Sequence, residues 1–328
     1  MLPALKEIVL NKPGEFAERT APRPVASDVN ALVRVRRIGV CGTDLHAFVG
    51  RQPFFTYPRV LGHELGVEVV EAPPNERGIR AGDRCAVEPY MSCGRCRACE
   101  LKRPNCCAAL QVIGVHVDGG MRPLLSVPVG LLHRSEELSL DQLALVETLG
   151  IGAHAVSRSG AEVGETVLIV GAGPIGLAVI QFAELTGARL RVLELNDFRR
   201  EFVRGLGFDV IPEFDGEVAD VVFDATGNAE AMEAAFDYVA PGGRLVLVGL
   251  VQGRISFDDS HLHRNEITVL ASRNSCHEFP RIIGLIEEGE IDTTPWITQR
   301  LELGDVPRRF GDLPGRAGLV KAIIDVPD

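Results

Sequence analysis

Residues 166–194, TVLIVGAGPIGLAVIQFAELTGARLRVLE, leave the chain few ways to fold. The apolar, β-branched run from Thr166 to Val170 predicts a buried strand, and it leads straight into Gly171-x-Gly173-x-x-Gly176. An amphipathic helical stretch follows, Gly187 ends it, and a second apolar strand closes on Glu194. Gly171 permits the tight turn, Gly173 lets a pyrophosphate approach the backbone, and Gly176 lets helix and strand pack closely. Pro174 and Ile175 fall in the same loop at the helix N-terminus, which faces the phosphates. Glu194, 23 residues past Gly171, is where a carboxylate accepts hydrogen bonds from both ribose hydroxyls. Such a carboxylate repels a 2′-phosphate, so NAD is expected over NADP. Arg199 pulls the other way if it welcomes that phosphate; alternatively it covers the adenosine ribose. A whole βαβ unit predicts a dinucleotide site where a lone glycine motif would not.

More strand-like runs follow at 219–227, 243–250 and 266–272, separated by helical stretches such as NAEAMEAAFDYVA. Strand alternating with helix predicts a parallel, doubly wound sheet. At 328 residues the chain is long enough for two domains. A net charge of −11 argues against nucleic-acid binding, which needs a basic face. The N-terminal MLPALKEIVLNKPGEF has no apolar signal segment, and glycines and proline break the longest apolar runs. No membrane association and a cytoplasmic location are therefore expected.

EPYMSCGRCRACELKRPNCC, residues 88–107, holds five of the eight cysteines. In a reducing compartment clustered cysteines are more often metal ligands than disulfides. Cys93, Cys96 and Cys99 repeat the CxxC spacing that lets thiolates converge on zinc, and either Cys106 or Cys107 supplies a fourth. Four thiolates close the tetrahedron and leave no position for substrate, so this metal is expected to be structural. Arg95, Arg97, Lys102 and Arg103 are interleaved and offset the surplus negative charge. Redox-active free thiols are the competing reading.

Upstream lie GVCGTDLHAF (39–48) and VLGHELG (60–66). Alone, Cys41 reads as a small buried hydrophobe and His63 as a core histidine. Together, ahead of a nucleotide fold, they read differently: a hydride-transferring enzyme needs a Lewis acid, and three protein ligands with one open position provide it.

The order CGTDLH, GHE, the cysteine cluster, VETLGIGAHAV and GAGPIG resembles the zinc-dependent medium-chain dehydrogenase/reductase superfamily over essentially the whole chain. It is most similar to the branch holding sorbitol dehydrogenase and the L-galactonate and L-idonate 5-dehydrogenases. The resemblance implies an α/β protein: a GroES-like β-rich catalytic domain over 1–148, completed by 276–328, and a Rossmann NAD-binding domain over 149–275. It implies two zinc ions. Cys41 and His63 bind the catalytic one, with Glu64 or Glu147 as third ligand; Cys93, Cys96, Cys99 and Cys107 bind the structural one. Thr43 and His46 match the family's proton relay, and Asp44 reads as orienting a ligand or as an ordinary turn aspartate. Val248, Gly249 and Leu250, with Arg273, Asn274 and Ser275, are placed at the nicotinamide. Asn274 stands where the sorbitol enzyme has a substrate-touching arginine, which weakens sorbitol as the substrate. His133 reads as a surface residue, and Arg51 and Arg122 as weak candidates for binding a substrate carboxylate.

The implied activity is oxidation of a secondary hydroxyl of a polyol or sugar acid by NAD, in a homo-dimer or homo-tetramer. Its rivals are an L-threonine 3-dehydrogenase-like or broad secondary-alcohol activity, and a non-catalytic NAD-binding redox sensor.

Overall fold

A computed structural model describes residues 4–52 and 55–327; residues 1–3, 53–54 and 328, within the ranges expected for the first domain and its C-terminal completion, lie outside the described set. The chain divides into two compact units, Met1–Glu147 with Phe279–Asp328, and Thr148–Glu278.

The second unit holds a six-stranded parallel sheet. Its strands are Thr166–Val170, Arg189–Leu193, Val210–Ile211, Ala219–Asp224, Val239–Leu247 and Thr268–Ala271. Numbered along the chain, they lie in the order 3-2-1-4-5-6, the doubly wound dinucleotide-binding arrangement. The first strand is buried at Val167, Leu168, Ile169 and Val170, as a central strand covered on both faces must be. The glycine loop follows it, and Pro174–Glu184 forms the expected helix with Pro174 in its first turn. Gly171 has φ +92°. A Cβ on Gly176 would lie 1.8 Å from the Gly171 carbonyl oxygen, so only glycine lets the helix sit this close.

The first unit is built on a mostly antiparallel sheet, ordered Ile297–Glu302, Lys321–Asp325, Asn30–Val40, Glu64–Glu71, Arg84–Val87 and Leu132–Arg134; Leu124–Pro128 also pairs with Asn30–Val40. Three register facts place the chemistry. Gly39 is opposite Glu64 on one side and Ile323 on the other, so Glu64, Ile323 and Lys321 share the face that a side chain at 39 would occupy. Gly66 is on that face too, and a Cβ there would lie 2.2 Å from the Leu140 carbonyl oxygen. Ile323 packs with Ala144 and Leu145. The helix Leu140–Ser159 is thus pressed onto this face, and it carries Glu147 to the same place as Glu64.

The short helix Gly42–Phe48 leaves the end of Asn30–Val40. Phe48 anchors it in a cluster with Phe16 and Phe310, ring centroids 5.0–5.6 Å apart. Each such aromatic pair adds about 1 kcal/mol beyond its buried area. Tyr57 donates to the Ala47 carbonyl at 2.5 Å, fixing the helix end.

Candidate active site

Cys41 caps the Gly42–Phe48 helix. Its carbonyl accepts from the N–H groups of Asp44 and Leu45, and its own N–H donates to Asp44 Oδ2 at 2.9 Å. The other Asp44 oxygen lies 3.7 Å from His63 Nδ1. If Nδ1 carries the proton toward this carboxylate, Nε2 is left for a metal. His63 follows Gly62, whose φ is +96°, and precedes the strand that begins at Glu64. Donor atoms of Cys41, His63 and Glu64 lie within 4.8 Å of one another. Adjacent residues His63 and Glu64 therefore reach one point because the backbone turns at Gly62.

The centre is buried and acidic. Asp44, His63, Glu64 and Glu147 are each at most 5% exposed. Burial pushes the Asp44 and Glu147 carboxyls up. Burial alone would push His63 down, yet the charges of Asp44, Cys41 and Glu147 hold it well above its ordinary value. A field that draws a proton onto a buried imidazole is a field suited to a cation. Cysteine, histidine and glutamate side chains are all donors that zinc accepts, so the three could hold a metal ion.

Two partners of this centre carry no signal in the sequence. Lys321, 2% exposed, places Nζ 2.5 Å from Glu64 Oε1 across 257 positions of sequence. Tyr90 donates its hydroxyl to Glu147 Oε1. Burial, then the charge of Glu147, pushes the Tyr90 phenol well up, so it is a donor at neutral pH. Glu147 belongs to no metal-ligand cluster found among the described residues; its carboxylate is engaged by Tyr90 instead. Thr43 is half-buried and His46 exposed, one turn apart on the helix.

The Sγ atoms of Cys93, Cys96, Cys99 and Cys107 form the second cluster, also within 4.8 Å. Cys96 and Cys99 are 3.6 Å apart, far beyond a disulfide and close to the edge, about 3.8 Å, of a zinc–thiolate tetrahedron. Cys107 Sγ accepts the N–H groups of Cys93 and Ala109. Cys106 is exposed and outside the cluster.

In the second unit, the carboxylate of Glu194 accepts the N–H of Ala172 at 2.7 Å and that of Asn196 at 2.8 Å. It braces the glycine loop while each oxygen keeps a second lone pair for a ribose hydroxyl. A Cβ on Gly173 would meet only Arg199 Nη1, at 3.7 Å, so this face is open to a phosphate. Arg199 Nη1 is also 4.0 Å from Glu194 Oε2. Val248 and Gly249 both donate backbone N–H groups to the Asp224 carbonyl, while Leu250 is 63% exposed. Arg273 is exposed, and Asn274 takes a left-handed φ of +52° that asparagine tolerates.

One expectation is corrected. His133 is not a surface residue: it is 7% exposed, with Nε2 2.8 Å from Glu88 and Nδ1 3.0 Å from Arg77. The Arg122 guanidinium is engaged by buried Glu7 at 3.2 Å, Asp118 at 3.5 Å and the Gly119 carbonyl at 3.0 Å.

Residues 27–137 match the model of the alcohol dehydrogenase GroES-like domain, and residues 174–288 that of the zinc-binding dehydrogenase. The chain is 37% identical to L-galactonate-5-dehydrogenase of Escherichia coli (strain K12), covering 97% of this chain and 98% of that one. The chain belongs to the zinc-dependent medium-chain dehydrogenase/reductase superfamily. Within that superfamily it is 30% identical to sorbitol dehydrogenase of Bacillus subtilis (strain 168), over 91% of this chain and 90% of the relative. A solved zinc-binding dehydrogenase of Sinorhizobium meliloti 1021, bound to NADP, matches with a TM-score of 0.91 and 30% identity, covering 98% and 99% of the two chains. The superfamily's two-part fold, a GroES-like portion and a Rossmann portion, is the fold of this chain. No helix among the described residues is long and apolar enough to cross a membrane.

Proposed function

We propose that this protein is an NAD-dependent zinc dehydrogenase that oxidises a secondary hydroxyl of a polyol or sugar acid, such as the 5-position of a hexonate, to a ketone. The convergence of Cys41, His63 and Glu64 within 4.8 Å carries the reading. The likeness to L-galactonate-5-dehydrogenase and sorbitol dehydrogenase supports the substrate class. Cys41, His63 and Glu64 would hold a catalytic zinc, and Cys93, Cys96, Cys99 and Cys107 a structural one. When bound, zinc supplies a Lewis acid that lowers the pKa of the substrate hydroxyl, and NAD supplies the hydride acceptor.

The chain's own groups do the rest. Asp44 fixes the Cys41 backbone by a hydrogen bond and sets a carboxylate oxygen 3.7 Å from the His63 ring. Lys321 offsets the charge of Glu64, both side chains being buried. The Thr43 hydroxyl would accept the substrate's proton as it gives up its own to the relay, and His46, exposed one turn further on, would hand a proton to solvent. The loop from Gly171 to Gly176 takes the pyrophosphate, Glu194 the adenosine ribose, and Val248, Gly249, Leu250, Arg273 and Asn274 the nicotinamide end. Glu194 favours NAD, since its carboxylate would face a 2′-phosphate. The strand Thr268–Ala271 ends the parallel sheet with Thr268 and Val269 exposed, and such an open edge supports a homo-dimer or homo-tetramer.

The test is NADH or NADPH formation over a panel of hexonates, polyols, simple secondary alcohols and L-threonine. Turnover of a hexonate or polyol with NAD, lost in a folded Cys41→Ser variant, is expected. L-threonine as the best substrate, or no turnover by protein carrying two zincs and binding NAD, would sink the substrate class.

A further inference from the structure

Two buried glutamates converge on the reactive centre. If both bound a zinc already held by Cys41 and His63, all four positions would be protein ligands and substrate could not enter. Each glutamate has a different partner: Lys321 for Glu64, the Tyr90 hydroxyl for Glu147. Only Glu64 joins Cys41 and His63 in the ligand cluster among the described residues. We propose that Tyr90 is a positioning residue that holds Glu147 off the metal and so keeps the fourth position open to the substrate hydroxyl. The inference rests on reading Cys41, His63 and Glu64 as the zinc ligands.

The hydrogen bonds divide the two carboxylates between two different donors. Glu64 and Glu147 are both buried, and the buried Lys321 is already on Glu64, so the Tyr90 hydroxyl is the donor that holds the Glu147 carboxylate. A buried carboxylate is costly unless it is paired or hydrogen-bonded, and the Tyr90 hydroxyl meets that need at Glu147. A phenol is a neutral donor with one O–H, so it can hold Glu147 without drawing the ion's other ligands. Tyr90 is also unable to follow Glu147 if it moves. The ring is 8% exposed and packs with Cys107, Leu110, Val112 and Val115, and its backbone pairs with Val112. The anchor is thus the small core of the four-cysteine lobe, so that lobe helps to set the reactive centre.

The test replaces only the catalytic zinc with cobalt and leaves zinc at the four cysteines. In the wild type, azide should bind the open position and shift the visible cobalt bands. In Tyr90→Phe, Glu147 should take that position, weakening the azide response and slowing metal release to a chelator by about tenfold each. Adding Glu147→Gln to Tyr90→Phe should restore the azide response. Glu147→Gln alone should leave the wild-type cobalt spectrum unchanged, an arm that does not depend on how Tyr90→Phe folds. Unchanged azide binding in Tyr90→Phe, faster metal release from it, or a spectrum altered by Glu147→Gln alone would each overturn the proposal. If Cys41→Ser leaves the thiolate-to-cobalt band in place, the ligand assignment itself has failed, which is a separate result.

Discussion

At the scale of single residues, Gly39 shows how a missing side chain shapes the centre. A Cβ at this position would lie 1.9 Å from Glu64 Oε2 and 2.9 Å from Glu64 Cβ. The Glu64 carboxylate is therefore folded over bare backbone, within reach of Lys321. Gly39→Ala should push it aside and strand two buried charges, at about 3 kcal/mol. Gly284 makes the contrast: its Cβ would meet nothing within 4 Å, inside the helix Phe279–Glu287. Gly284→Ala should stabilise by about 0.5–1 kcal/mol, the ordinary helix-propensity gain. Denaturant midpoints of the two variants check both signs, and a neutral Gly39→Ala would mean the close approach is not real. The ligand candidates were legible in the sequence because thiol, imidazole and carboxylate occur in short, recognisable strings. Lys321 was not, because its meaning comes only from strand pairing across Gly39. Tyr90 was not, because a tyrosine beside a cysteine cluster reads as packing until its hydroxyl is seen on Glu147.

At the scale of elements, the dinucleotide unit was the most legible part, since a buried parallel strand and a glycine loop leave a continuous apolar run followed by a fixed spacing. What holds neighbouring strands together was less visible. Asp220, at the start of the fourth strand, accepts both the N–H and the hydroxyl of Thr166 at 2.8 Å each, and its own N–H donates back to Thr166 Oγ1 at 3.0 Å. These bonds, from the Thr166 backbone first and its side chain second, hold the Asp220 carboxyl below its ordinary 3.8. A depressed carboxyl stabilises the fold above its unfolded pKa, and the contribution is lost as pH falls through the folded value. Asp220→Asn should therefore cost about 1 kcal/mol at neutral pH, allowing for solvent screening. The gap should close below pH 3.8. Urea midpoints measured from pH 7 downward decide it: a gap that is constant with pH, or that widens in acid, excludes an ionised Asp220 as the clasp.

At the scale of the whole molecule, one cysteine set is proposed to serve structure and Cys41 to serve chemistry, with Tyr90 between them. Tyr90–Met91 pairs with Gln111–Val112, and the strand pair brackets the segment that carries all four clustered thiols. Removing a ligand from that cluster should loosen the lobe, because metal-binding energy is folding energy for a segment with so small an apolar core. Cys107→Ser should lower the zinc content from two per chain to one. NADH binding should stay within about twofold of the wild type, since the dinucleotide loop lies in a unit with its own sheet and core. Activity should nevertheless fall by about tenfold or more, the usual cost of losing a partner that orients a metal's surroundings. Metal content, NADH fluorescence titration and kcat on the same preparation separate the possibilities. Full activity with one zinc would mean the lobe merely decorates the fold, and lost NADH binding would mean global unfolding. A selective fall in kcat that Glu147→Gln partly reverses is what a lobe acting through Tyr90 requires.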